Sequence, residues 1–361
     1  MTAVLFVSNG HGEAAIAKRI ATELRTLSSL VAEHIALVGT GFGDATFVDV
    51  GPQAAMPSGG LVAMGNVRAF ARDVQAGFVP HLLRQLHFLR RAHARYAAVV
   101  AVGDVYALLL ARLVRRPAIF VGTAKSVYVA PYGPVERYVL RGARAVFVRD
   151  EATARALRER DVDAHAPGNV IVDLLATDAR YDWAGAEHRI AILPGSRDGA
   201  YADAAALAAV ARAVIARVPA SAAALSIAPG LDPVRFAAVL AGDPPIRGWQ
   251  GDLGALIADA SIVLGQAGTA NEAAAAHGVP VVALERGEAR TSAWYRMRQA
   301  RLLGDALALV PGEPHAAAEA IAALLSDGPR RSRMGAVGRE RMGGPGGARA
   351  VAQAIAEVAH R

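Results

Sequence analysis

Asp104 closes an apolar run in Val102-Gly103-Asp104. A carboxylate at the end of a buried strand faces the crevice of an α/β sheet. With its pKa raised by burial it can act as general base toward a hydroxyl. The same residue suits a helix N-cap, because a helical pattern begins at Val105. A second carboxylate, Glu272, ends the most specific polar cluster of the chain, Gly265-Gln266-Ala267-Gly268-Thr269-Ala270-Asn271-Glu272. There a strand delivers a small polar loop onto a helix start. Backbone amides at such a start suit phosphate oxygens, and a carboxylate one turn in suits the two hydroxyls of a ribose. Thr269-x-x-Glu272 also spells a capping box, which would turn the same carboxylate onto the cap's own amide.

Other glycine turns accompany these. Ser8-Asn9-Gly10-His11-Gly12-Glu13 follows the first strand. Gly10 and Gly12 let backbone approach a ligand, and the helix start behind them favours anions. A tight strand-to-helix turn with Glu13 on the helix dipole has equal weight on the motif alone. The G-x-G-x-x-G spacing and the acid that should follow it are missing, which excludes a dinucleotide-binding dehydrogenase. Gly122-Thr123-Ala124-Lys125-Ser126 lacks the first glycine of a P-loop, which disfavours an ATPase. Lys125 is either a phosphate contact or a solvated loop lysine. In Leu193-Pro194-Gly195-Ser196-Arg197, the amides of Gly195 and Ser196 and the fork of Arg197 suit a diphosphate, and a plain Pro-Gly turn is the alternative. Asp161-Val162-Asp163 looks like a metal pair but stands alone, so it reads as surface, and no metal site is expected.

The elements that must hold these residues are short β-branched runs alternating with Ala-rich helical stretches. Strands are predicted at 3–7, 97–102, 118–121 and 145–148. The pattern restarts with 189–193, 223–228, 261–264 and 280–284. This alternation predicts parallel sheets covered on both faces by helices. At 361 residues two domains are expected, taking about 150 residues for each. A fairly polar linker spans 167–188. Ligands in doubly wound sheets bind beyond the carboxyl ends of the strands, where the clusters above other than Asp161-Val162-Asp163 fall.

The chain has no cysteine, which excludes disulfides and thiolate chemistry and fits a reducing compartment. Its start has no basic signal-peptide region, and no apolar stretch reaches the roughly 18–20 residues of a membrane span. A cytoplasmic protein with at most peripheral membrane contact is expected. The net charge of +7 calls for an anionic partner. Between residues 66 and 96 there are six arginines against one acid, Asp73. Arg84, His87, Arg91 and Arg95 share one predicted helical face, and Leu82, Leu83, Leu86 and Leu89 another. Such a helix suits an anionic membrane surface, although ordinary packing on a sheet is the commoner use of the pattern. Aromatic residues are not interleaved with the arginines, which disfavours nucleic acid.

In order, these motifs resemble the lipid-A-disaccharide synthase-related proteins, a divergent branch of the GT-B glycosyltransferases. The likeness adds the stretches at 72–78, 121–126 and 146–150, and Gly168-Asn169, to the clusters above, and covers nearly the whole chain. Ala14 and Ala200 stand where that family usually has acids. The resemblance implies two Rossmann-like domains, 1–167 and 168–345, with a C-terminal helix at 346–361 crossing back to the first. It implies a UDP-sugar donor in the second domain, a lipid-linked acceptor in the first, inversion, and no metal. Asp104 is then the base, with His11 and Glu13 near the reacting centre. Gln266, Gly268, Thr269, Asn271 and Arg197 hold the diphosphate and Glu272 the ribose. The rival expectations are a UDP-sugar 2-epimerase and a non-catalytic protein that keeps a GT-B shell at the membrane surface.

Overall fold

Strands that are covered on both faces are apolar almost throughout, and β1 (Ala3–Ser8) and β4 (Tyr96–Gly103) have that composition. In the computed structural model β1 is buried at every position and β4 at all but one. The structure describes residues 2–39, 43–54, 74–75, 77–123, 125–196, 199–285 and 290–360, without the side chains of His11 and of 290–295.

The remaining strands of the first sheet are β2 (Val31–Ala36), β3 (Val48–Asp49), β5 (Ala118–Gly122), β6 (Ala145–Val148) and β7 (Ala164–His165). Seven strands pair in parallel in the order β3-β2-β1-β4-β5-β6-β7. The second sheet contains β8 (His188–Leu193), β9 (Ser221–Ser226), β10 (Arg247–Trp249), β11 (Ile262–Gly265), β12 (Val281–Glu285) and β13 (Leu307–Pro311). Its order is β10-β9-β8-β11-β12-β13, again all parallel. Both are doubly wound sheets whose strand order reverses once, between β1 and β4 and between β8 and β11.

Helices cover these sheets. His11–Leu27 and Phe78–Arg91 lie in the first unit, and Ala200–Arg217 and Pro314–Ser326 in the second. Leu5, Val99 and Phe120 sit in the core of the first, and Ile192, Leu225 and Leu264 in that of the second. Among the described residues no helix is long and apolar enough to cross a membrane.

Two compact units result. One comprises 1–174 with 345–361, the other 175–344. Residues 168–174, assigned above to the second domain, belong to the first. A Cβ on Gly168 would stand 2.6 Å from Gly347 N and from Pro345 O, so the chain passes there against the C-terminal segment. Asn169 caps the short helix Val170–Asp173, and the Asp173 carboxylate accepts from Gly346 N and Ala348 N, each at 2.7 Å. That carboxylate caps the helix Gly347–Ala359, which packs on His11–Leu27 through buried Val351, Ala352 and Ile355.

Candidate functional site

In the first unit Ser8 of β1 is in register with Val102 of β4, so the turns that follow lie side by side where the order reverses. Gly10 ends the first turn and is the N-cap of the helix His11–Leu27, with no capping side chain of its own. Glu13 lies in its first turn, half-buried. A Cβ on Gly10 would stand 3.2 Å from Glu13 Oε2, and one on Gly103 would stand 3.3 Å from Glu13 Cγ. Gly103 has φ +131°, a conformation that lets the chain pass Glu13 and turn into Asp104. Glu13 and the Gly103-Asp104 corner are therefore neighbours. Gly12 is exposed with nothing close, and the His11 side chain lies outside the described residues.

Asp104 is half-buried and caps the helix Val105–Ala111. Its Oδ1 accepts from Tyr106 N at 3.0 Å and Ala107 N at 3.2 Å. Among the described residues Oδ2 accepts no bond. The cap thus leaves the second oxygen of the carboxylate without a partner among the described residues.

Lys125 is not a solvated lysine. Its Nζ donates to Glu136 Oε2 at 2.6 Å and stands 5.7 Å from the centre of the Tyr132 ring. The same Glu136 oxygen accepts from Gly133 N at 2.7 Å. Contact of Lys125 with a phosphate would require exchange of this pair. Burial, and secondarily Glu136, push the Tyr132 phenol well above its ordinary pKa.

In the second unit the turns after β8 and β11 meet in the same way. Gln266 N and Ala267 N both donate to Leu193 O, at 3.1 and 3.3 Å. A Cβ on Gly195 would stand 3.9 Å from Ala267 Cα. Ser196 follows Gly195, and Arg197 lies outside the described residues. Gly268, not Thr269, is the N-cap of the helix Thr269–Ala276, and as a glycine it has no capping side chain of its own. Thr269 is the first helical residue and Asn271 the third, so Glu272 is one place too far along for a capping box. Gly268 and Thr269 are exposed at this helix start.

Asn271 points into the protein interior. It is fully buried, and its Nδ2 donates to Gly265 O at 3.2 Å and to Gln299 Oε1 at 3.1 Å. Gln299 Nε2 in turn donates to Ala267 O at 3.1 Å and Gly268 O at 3.0 Å. Gln266 Nε2 is engaged by Leu284 O at 3.0 Å. Asn271 and Gln266 shape the loop from behind. The direct candidates are the backbone around Gly268, Thr269 and the half-buried Glu272.

Gln299 escaped the sequence reading, since it meets the loop only in the folded chain. So did a buried relay under the first loop. Ser8 Oγ lies 2.8 Å from His34 Nε2, and His34 Nδ1 lies 2.6 Å from Asp49 Oδ1. Burial lowers the His34 pKa against the pull of Asp49, so the ring is neutral, Nδ1–H donating and Nε2 accepting. The geometry is that of a Ser-His-Asp triad, but Ser8 and His34 are both fully buried. A nucleophile with no access attacks nothing, so the relay anchors the strand end from which the glycine loop departs.

Asp161 and Asp163 are almost fully exposed, paired respectively with Arg141 and His165. Among the described residues no three His, Asp or Glu side chains group as metal ligands would.

No family model matches this sequence, and no curated protein matches it. Solved structures do match its fold. A putative UDP-N-acetylglucosamine 2-epimerase from Listeria monocytogenes is 14% identical, over 98% of this chain and 95% of that one, with a TM-score of 0.66. The calicheamicin glycosyltransferase CalG4 is 16% identical, over 100% of this chain and 99% of its own, also at 0.66. A UDP-GlcNAc 2-epimerase from Neisseria meningitidis, bound to UDP-GlcNAc, is 14% identical over 99% of each chain at 0.58. These likenesses define the fold. It is GT-B, with two Rossmann-like parallel-sheet units and a C-terminal helix that returns to the first.

Proposed function

We propose that this chain is an inverting glycosyltransferase of the lipid-A-disaccharide synthase type. It moves a sugar, of the N-acetylglucosamine or acylated glucosamine kind, from a UDP-sugar to a lipid-linked acceptor at the inner face of the cytoplasmic membrane. One observation carries the reading. Each unit places a glycine N-cap, which has no capping side chain of its own, at the helix start where its strand order reverses, and in the first unit that point also holds a strand-end carboxylate whose second oxygen accepts no bond among the described residues.

In this reading each group has a stated task. The acceptor hydroxyl attacks the anomeric carbon, its proton passes to Asp104 Oδ2, and the bond from that carbon to the UDP oxygen breaks on the opposite face. Charge that develops on the leaving diphosphate meets the amides at the start of Thr269–Ala276, with Gly195, Ser196 and Arg197 completing the cradle. Glu272 accepts from the ribose hydroxyls. His11 and Glu13 orient the acceptor beside Asp104. No metal is needed for this displacement, and the basic stretch 66–96 turns the first unit toward anionic lipid. Part of that stretch, with Arg68, Arg72 and Asp73, lies outside the described residues.

UDP titrated in a thermal-shift assay tests the donor site. Binding raises the melting temperature by mass action, and Glu272→Gln weakens it without lowering the unliganded melting temperature. An unchanged UDP affinity in the variant would remove Glu272 from the site. UDP release from UDP-GlcNAc in the presence of membrane lipid extract tests the transfer. The second reading, a UDP-sugar 2-epimerase, is supported by the epimerases, among them the two described above, that share the fold along nearly the whole chain. NMR of UDP-GlcNAc with the protein alone decides, since epimerised product would appear without any lipid.

A further inference from the structure

The helix Phe78–Arg91 does not divide its faces as its sequence pattern predicts. Leu89 is buried and Leu82 and Leu86 half-buried, but Leu83 is 60% exposed and sits with the basic residues. Arg95 lies beyond the helix end and is not solvated alone. It pairs with the buried Glu33, which also accepts from Tyr96 O–H at 2.5 Å. Arg84 and Arg91 differ from Arg95 in having no hydrogen bond or ion pair among the described residues, and both are exposed.

Between these groups runs a groove of about 630 Å³. Leu83, Phe88, Ala92 and Pro52 give it apolar walls, and Arg84 and Arg91 stand at its rim. No acidic residue is among its described lining residues. Volumes of about 300–1,000 Å³ with apolar walls and a few placed charges are those of sites for single small ligands. The two guanidiniums are seven residues apart on one face, about 10 Å along the axis at 1.5 Å per residue. That spacing brackets one headgroup while the chain below it runs along Leu83 and Phe88.

We infer that this groove binds one anionic lipid, its alkyl chain on the apolar walls and its phosphate between Arg84 and Arg91. Arginine suits this headgroup because its planar fork meets phosphate oxygens in pairs and is weakly hydrated. The lipid is not the acceptor. Tyr96, which lines the groove, begins β4, and Gly103 beside Asp104 ends it. At about 3.3 Å per residue the groove lies some 25 Å from the candidate base. The inference deepens the membrane part of the function proposed above, and UDP binding and transfer do not depend on it.

Calorimetric titration with dodecyl phosphate below its micelle concentration tests this, beside inorganic phosphate and the neutral dodecyl maltoside. One dodecyl phosphate per chain is expected, with no measurable binding of the other two. The double variant Arg84→Gln, Arg91→Gln should weaken binding at least tenfold, and Leu83→Asp, at an exposed position, should do the same from the apolar side. An unchanged UDP thermal shift shows that each variant is folded. Vesicles of phosphatidylglycerol should retain the wild type and lose the double variant. The inference is overturned if dodecyl phosphate does not bind, if the variants bind it as well as wild type, if inorganic phosphate binds equally, or if the maltoside does. A wild type without any UDP thermal shift would instead count against the proposed transferase, and the unliganded melting temperature then shows whether each variant is folded.

Discussion

Replacing Asp104 by Asn separates two roles that one carboxylate holds. In the wild type Oδ1 caps a helix through Tyr106 N and Ala107 N, and Oδ2 is the oxygen assigned to the proton. The Asp104→Asn side chain keeps an acceptor in the place of Oδ1 and loses only the charge on the helix start, worth about 0.3–1 kcal/mol. Asp104→Ala loses the cap as well, at about 0.5–2 kcal/mol. For a domain of this size 1 kcal/mol shifts the melting temperature by about 2–4 °C. The Asn variant should therefore melt within a few degrees of wild type, and the Ala variant lower still. Turnover should respond differently. Loss of a general base slows the reaction by about 10²–10⁴-fold. That is roughly 3–5 kcal/mol of barrier at 1.36 kcal/mol per tenfold, several times the stability change. The assay is UDP release from UDP-GlcNAc with membrane lipid extract, run beside UDP thermal shifts on the same protein. Equal and large losses in both variants, with UDP binding intact, support the base. Turnover of the Asn variant within about threefold of wild type would refute the reasoning, since far less than 10² would then come from proton transfer. Asp104 would in that case be a cap alone.

Other outcomes are expected. In Gly265→Ala the new Cβ would collide with Asn271 Oδ1, inside a fully buried loop support. Overpacking of that kind costs about 1–3 kcal/mol, and UDP affinity should fall with the melting temperature. A normal UDP affinity would show that the loop's shape does not matter. Activity should survive EDTA, because the described residues offer no carboxylate group suited to Mg²⁺ or Mn²⁺. Loss with chelator and recovery with Mn²⁺ would contradict this. Burial lowers the pKa of both His34 and His81 below the ordinary 6.5. The unfolded chain then binds protons first, so stability is lost as pH falls below about 6.5 and continues to fall until the folded values are passed. Melting curves between about pH 8 and 5 should show that decline, and a flat profile would contradict the neutral relay.

The sequence made plain those elements whose signal is local. β1, β5, β6 and β8 are short apolar runs rich in β-branched residues, and the turns after β1 and β8 lie at the reversal points as the alternation implies. β2 stayed hidden because Val-Ala-Glu-His-Ile-Ala carries two polar residues in a fully covered strand. Glu33 is tolerated there by Tyr96 and Arg95, and His34 by Ser8 and Asp49, all of them partners distant in sequence. A local pattern cannot show that a buried polar group will be satisfied. The same limit misplaced Arg95 on a solvated face. It also made Asn271 look like a ligand contact, because a small polar residue in a glycine-rich loop reads alike whether it faces inward or out. The capping box failed by one residue. Gly268 is the N-cap, which puts Asn271 rather than Glu272 at the third helical position that a capping box uses.

The carboxylate of Asp173 grips Gly346 N and Ala348 N across the whole length of the second unit. During synthesis the partner of that grip emerges only after residues 175–344 have been made. At about 5–20 residues per second this is a wait on the order of 10–30 s. The second unit is continuous in sequence and can close as it leaves the ribosome. The first, begun earlier, holds the face of His11–Leu27 uncovered until Val351, Ala352 and Ile355 arrive. The order of completion is therefore the reverse of the order of translation, and the older half of the chain spends that interval as the client of whatever shields apolar surface in the cell.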